Sequence, residues 1–113
     1  MHVDISRHLA GLKALRRRYG VTRLEVFGSA ARGGDFDPDR SDADFLVAFE
    51  PETSLSPLDQ FFGLSEAMER LLGRTVDLVE FGAVRNPYVL AGINRSREVV
   101  YGVRLYPWDM QTA

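Results

Sequence analysis

The chain has no cysteine. A disulfide framework and a thiolate metal site are both excluded. It has no run of 18 consecutive apolar residues, and Met1 to Leu12 lacks the apolar stretch of a signal peptide. The expectation is a cytoplasmic protein with no membrane contact. It also lacks an excess of positive charge: 14 Lys and Arg stand against 16 Asp and Glu, for a formal net charge of −2. A protein built to grip a nucleic-acid backbone directly needs a basic stripe, and the whole is acidic. No repeat and no low-complexity segment interrupts the 113 residues. That length suits one domain, expected to span 1–113, with a helix over 1–20, a core over about 21–101 and a tail over 102–113. Little chain is left for a second, substrate-holding domain.

The hydrophobic pattern gives the elements. Ile5, Leu9, Leu12, Leu15 and Tyr19 recur at helical steps, predicting one amphipathic helix from Asp4 to Tyr19, with Asp4 placed to cap its start and Gly20 to end it. Arg16, Arg17 and Arg18 then fall in its last turn, as a solvated helix end or part of a partner surface. Arg23 to Phe27 reads as a strand, Ala30 to Arg32 as a brief helical turn, and Gly33 to Ser41 as a polar loop. Asp44 to Phe49 is almost wholly apolar after its first residue, which predicts a strand buried on both faces. Ser56-Pro57 with Asp59 announces a helix. Leu58, Phe61, Phe62, Ser65, Met68, Leu71 and Leu72 are its expected buried stripe and Gly73 its end. Thr75 to Glu80 is a third strand, Tyr88 to Ile93 a short helix after the turn at Asn86-Pro87, and Glu98 to Tyr101 a last strand. The predicted class is α+β: a small mixed sheet with helices packed on it.

Three acids stand out. In Ser41-Asp42-Ala43-Asp44 the two carboxylates are two apart on an extended segment and so point the same way. They repel unless a cation sits between them, and an oxygen-only pair favours a hard cation such as Mg²⁺. Asp77 lies inside the third strand between apolar neighbours, where a carboxylate is costly unless paired or solvated. If the second and third strands are adjacent, Asp77 faces the pair, and three carboxylates can hold the two Mg²⁺ ions of an in-line phosphoryl displacement. Upstream, Phe27-Gly28-Ser29-Ala30-Ala31-Arg32-Gly33 ends a strand in a tight turn. Such a turn offers backbone N–H groups and a hydroxyl to phosphate, and Arg32 can neutralise it. Each piece alone is common; the combination is rare.

Other polar residues read more plainly. Asp35, Asp37 and Asp39 alternate as in a calcium loop, but Arg40 stands where glycine is needed and Leu46 where a bidentate glutamate is needed, so that reading is rejected. His2 and His8 lack metal-ligand spacing and are expected at the surface. Phe61, Phe62, Leu58 and Met68 read as core. Ser41 is placed to orient the turn at the aspartates. Tyr106 and Trp108 in the tail fit docking on the domain or on a partner.

The runs Val26-Phe27-Gly28-Ser29-Ala30-Ala31-Arg32-Gly33 and Ser41-Asp42-Ala43-Asp44-Phe45-Leu46-Val47 resemble the signature of the DNA polymerase β-like nucleotidyltransferase superfamily, and within it the minimal nucleotidyltransferase (MNT) group. Val76-Asp77-Leu78-Val79 is similar to the strand bearing that family's third carboxylate. Arg85-Asn86-Pro87-Tyr88 and Val99-Val100-Tyr101 resemble its C-terminal region. The likeness covers about Val21 to Tyr101. The loop from Ser29 to Asp42 is about two residues longer than the family's commonest spacing, which a surface loop tolerates.

The resemblance implies a nucleotidyltransferase fold and transfer of AMP from ATP to a tyrosine hydroxyl of a partner protein. It further implies an antitoxin that silences a HEPN-type ribonuclease toxin. By that likeness Gly28, Ser29, Arg32 and Ser41 serve the nucleotide. Asp42, Asp44 and Asp77 are both catalytic residues and metal ligands, with two Mg²⁺ ions, and Asp77 helps activate the incoming hydroxyl. Two other readings stand beside it. One is a partner-binding module without catalysis; the other is a nucleotidyltransferase for a small molecule or an RNA end.

Overall fold

The computed structural model describes residues 1–32 and 42–102. Ser41, the loop acids Asp35, Asp37 and Asp39, and the aromatic tail residues Tyr106 and Trp108 lie outside the described residues. The elements run α1 (Val3–Ser6), α2 (Leu9–Tyr19), β1 (Val21–Phe27), α3 (Ser29–Arg32), β2 (Ala43–Phe49), α4 (Pro57–Leu72), β3 (Val76–Glu80), α5 (Pro87–Ser96) and β4 (Glu98–Tyr101).

The expected first helix is two. Between α1 and α2 the chain turns at Arg7-His8. The cap of α1 is His2, not Asp4: its Nδ1 accepts from the Asp4 N–H at 3.0 Å. Asp4 instead bonds outward through its carboxylate, to Arg7 at 2.7 Å and to Arg74 at 3.5 Å. His8 is also engaged locally, with its Nδ1 3.0 Å from the Asp4 carbonyl oxygen. The end of α2 is as expected, with Gly20 left-handed at φ 64°.

The four strands form one mixed sheet in the order β3-β2-β1-β4. β1 pairs antiparallel with β2 and with β4, and β2 pairs parallel with β3. A parallel pair needs a crossover, and α4 supplies it. At the centre of β2, Phe45, Leu46 and Val47 are fully buried, so this strand is covered on both faces. Phe45 and Val47 join Leu24, Val26, Leu12, Leu64 and Met68 in the main core on the α2/α4 side. Leu46 faces the other way, into a smaller cluster with Leu90 and Ile93 of α5, to which Phe27, Val79 and Phe81 add partial burial.

α4 starts as read. The Ser56 hydroxyl accepts from the Asp59 N–H at 3.1 Å, Pro57 follows, and Gly73 closes the helix at φ 67°. Its buried face differs from the expected stripe. Gln60, Leu64, Ala67, Met68 and Leu72 are inside, whereas Leu58 and Phe62 are 67% and 55% exposed. The runs Leu58, Phe61, Phe62 and Gln60, Leu64, Ala67 both satisfy helical spacing. The sheet takes the second, and Gln60 remains inside because its side chain donates to the carbonyl oxygens of Tyr19 and Glu50 at 3.2 and 3.3 Å. No helix among the described residues is long and apolar enough to cross a membrane.

Candidate active site

β1 and β2 end together. Phe27 sits opposite Asp44 across the antiparallel pair, and Asp44 sits opposite Asp77 across the parallel one. Alternation along a strand then fixes the faces. Asp44 shares its face with Leu46, and Asp77 with Val79, so both carboxylates stand on the α5 side of the sheet at its open end. Asp42 lies one residue before β2 and is exposed. Asp77 is exposed too, which is how a carboxylate between buried Val76 and Leu78 is tolerated: the strand's other face carries the core and Asp77 meets solvent.

Asp44 is only half-buried, yet its carboxyl is pushed up to about 6. Burial is the main cause, followed by the Asp77 and Asp42 carboxylates; the Arg32 guanidinium opposes them. All four named side chains therefore act on one small volume. Among the described residues no group of three His, Cys, Asp or Glu side chains forms a ready cage for a metal ion. Mg²⁺, however, takes one or two protein carboxylates and completes its shell with waters and substrate phosphates. The donor set of hard oxygens, with an excess of negative charge around Asp44, fits such a cation.

The turn above the carboxylates depends on glycine. Gly28 has φ 70°, a conformation side chains disfavour. A Cβ there would stand 2.7 Å from Asp44 Oδ2, so the backbone is pressed against that carboxylate. The Gly28 carbonyl accepts from the Ala31 and Arg32 N–H groups, both at 3.1 Å, which winds α3. Its own N–H donates to Ser96 Oγ at 2.9 Å. The amide of Gly28 is thus already engaged, and Ser29 follows it in the turn. Arg32 is exposed at the end of α3.

The surrounding chain holds this end of the sheet. The Ala43 N–H donates to the Thr75 carbonyl at 3.1 Å, the Val76 N–H donates to Glu69 Oε2 at 3.1 Å, and the His2 N–H donates to the Ala30 carbonyl at 2.7 Å. One cleft, of about 470 Å³ and lined by Arg16, Arg17, Gly20, Val21 and Glu50, lies at the start of β1, away from the carboxylates.

Residues 10–100 match the model of the nucleotidyltransferase domain family. The chain belongs to that family. Protein adenylyltransferase MntA of Thermococcus cleftensis is 43% identical to this nucleotidyltransferase over 91 residues, 79% of the present chain and 82% of its own. A solved structure classed as a minimal nucleotidyltransferase superposes with a TM-score of 0.66 at 33% identity, covering 87% of this chain and 95% of its own. The fold recurs in a chain of a solved complex between a tri-AMPylated HEPN toxin from Shewanella oneidensis and an MNT antitoxin. That match has a TM-score of 0.59 at 17% identity, covers 87% of this chain and 72% of the other, and bears on the fold alone.

Two parts of this nucleotidyltransferase's site region went unforeseen in the sequence. Glu25, in the middle of β1, is fully buried and is held by Arg97 through two bonds, Nε to Oε1 at 2.9 Å and Nη2 to Oε2 at 2.8 Å. Arg97 Nη1 also donates to Asn94 Oδ1 at 2.7 Å. Arg23 approaches Glu25 at 3.8 Å, and both guanidinium groups lie over the Phe81 ring, at 5.7 and 5.6 Å from its centroid. A signal for Glu25 existed: a lone acid between Leu24 and Val26 poses the same question as Asp77. Ser96, at the end of α5, carried no sequence signal at all.

Proposed function

We propose that this chain transfers AMP from ATP to a tyrosine hydroxyl of a partner protein, and that the partner is a HEPN-type toxin which the transfer silences. The observation that carries the reading is the register of β2 against β3. It sets Asp44 beside Asp77 under the Gly28-Ser29 turn, in a chain of the nucleotidyltransferase family. The partner and the acceptor rest on likeness: the Thermococcus relative is named a protein adenylyltransferase, and a fold neighbour is an MNT antitoxin bound to an AMPylated HEPN toxin.

In this reading Asp42, Asp44 and Asp77 would hold Mg²⁺, two ions in the full site, which would supply charge neutralisation for the triphosphate and the leaving group. Ser29 and Arg32 bind phosphate oxygens, with Gly28 allowing their close approach and Ser41 orienting the turn before Asp42. The acceptor hydroxyl oxygen attacks the α-phosphorus. The bond from that phosphorus to the oxygen bridging toward the β-phosphate breaks, and pyrophosphate departs. The hydroxyl proton passes to Asp77, whose exposed position leaves it open to the incoming group.

The test is transfer of label from ATP carrying it on the α-phosphate, with Mg²⁺ and host extract, beside Asp42→Asn/Asp44→Asn. Label on a second protein, dependent on the aspartates, is the expected result, and identification of that protein tests the toxin assignment. Label that moves only in a parallel run with ATP labelled on the γ-phosphate, or no aspartate-dependent label with any nucleotide, overturns the reading. The second outcome leaves a partner-binding module. Label on RNA or a small molecule replaces the acceptor.

A further inference from the structure

The end of α5 reaches back to the strand that opens the nucleotide turn. Ser96 Oγ accepts the Gly28 N–H at 2.9 Å across 68 residues of sequence. Its own hydrogen points to the Ile93 carbonyl at 3.5 Å, a long and weak contact, so the serine acts on Gly28 chiefly as an acceptor. With Ala31 and Arg32 bonded to the Gly28 carbonyl, both backbone polar groups of this left-handed residue are engaged. Gly28 in turn lies against Asp44, leaving no room for a Cβ. A shift of Gly28 therefore moves Ser29 and disturbs the space over Asp44 together.

Ser96 is itself held. The adjacent Arg97 is anchored to Glu25, two residues before Phe27 on β1, through two hydrogen bonds between fully buried groups. The contacts close a ring: Glu25 to Arg97, Arg97 through the chain to Ser96, Ser96 to Gly28, and Gly28 back along β1. A bidentate guanidinium–carboxylate pair fixes direction as well as distance. Preorganisation of this kind determines how well a turn receives a polyanion.

We propose that Ser96 is a positioning residue of the nucleotide site: through the Gly28 N–H it holds the Gly28-Ser29 turn in the shape that takes the triphosphate. The inference rests on the nucleotidyltransfer reading. Ser96 touches neither nucleotide nor metal; it acts through Gly28.

The test compares the whole chain with Ser96→Ala and Ser96→Thr. Affinity for α,β-methylene ATP with Mg²⁺ is measured by calorimetry well below the melting temperature. The exchange rate of the Gly28 amide proton is read by NMR in the same samples. Ser96→Ala, still folded by circular dichroism, should bind the analogue about 10-fold more weakly, the scale of one net hydrogen bond. Its KM for ATP should rise more than its kcat falls, and the Gly28 amide should exchange faster. Ser96→Thr, which keeps the hydroxyl, should restore all three. A lowered melting temperature with unchanged affinity and KM would make Ser96 purely structural and overturn the proposal. If Ser96→Ala does not fold, Ser96→Cys replaces it as the poor acceptor, and equal affinity of the Cys and Thr variants overturns the proposal. If the wild-type chain binds no analogue, the nucleotidyltransfer reading fails separately. Gly28 exchange that Ser96→Ala leaves unchanged then disposes of the positioning role as well.

Discussion

Asp44 pays for its position in stability. Burial, Asp77 and Asp42 all disfavour its charged form, and Arg32 only partly compensates. Replacing it with the neutral isostere should have two opposite effects. Asp44→Asn should lower nucleotide transfer on the order of 100-fold or more, the scale of removing one preorganised charge-stabilising group. In chelator, the same variant should melt a few degrees higher than the wild type, as relief of carboxylate repulsion stabilises the fold. Thermal melts with and without chelator, run beside the transfer assay, separate the two. Gly28→Ala should fail on both counts. Its φ of 70° and the 2.7 Å approach to Asp44 Oδ2 leave no relaxed place for a methyl group. A loss of more than about 1 kcal/mol on urea unfolding is expected, with transfer lost as well.

Among the elements, α4 and the β1–α5 link give the sharpest tests. Leu64→Ala should cost about 2–5 kcal/mol, the range for a fully buried leucine. Leu58→Ser should stay within about 0.5 kcal/mol, because its side chain projects into solvent. The same urea titrations decide both. Glu25→Gln or Arg97→Met alone should cost about 3–5 kcal/mol by stranding a buried charge, while the double variant should cost less than the sum. These elements also show what the sequence made legible. Spacing and caps located α4, β2, β3 and β4 to within a residue or so, because Ser56-Pro57, Gly73 and the apolar run of β2 act locally. Asp44 and Asp77 were legible as a facing pair once two strands were taken as neighbours. The buried side of α4 was not, since two apolar stripes satisfy one period and only the sheet's position chooses between them. The break at Arg7-His8 was hidden because apolar spacing continues through it. The Arg97–Glu25 and Ser96–Gly28 bonds join residues 72 and 68 apart, which no local pattern encodes.

Across the molecule, among the described residues, the two faces of the sheet are unequally covered. α2 and α4 bury the large cluster on one side, while on the other α5 contributes only Leu90 and Ile93 to a cluster with Leu46. Opening free energy follows buried contact. Amide exchange under native conditions should therefore release α5 before β1 and β2, and Arg97→Met should widen that gap. The sheet order adds a consequence for synthesis. β1, made before β2 and β3, has β4 as its outer neighbour, and Glu98 to Tyr101 are translated some seventy residues after it. The carboxylate pair can assemble from β2 and β3 while a nascent chain is still short. Gly28, though, waits for Ser96, and Glu25 waits for Arg97. On the ribosome, the order of manufacture thus places the fastening of the Gly28-Ser29 turn after the making of the carboxylates, so a chain stalled between β3 and α5 would carry its three aspartates without the strap that holds this turn.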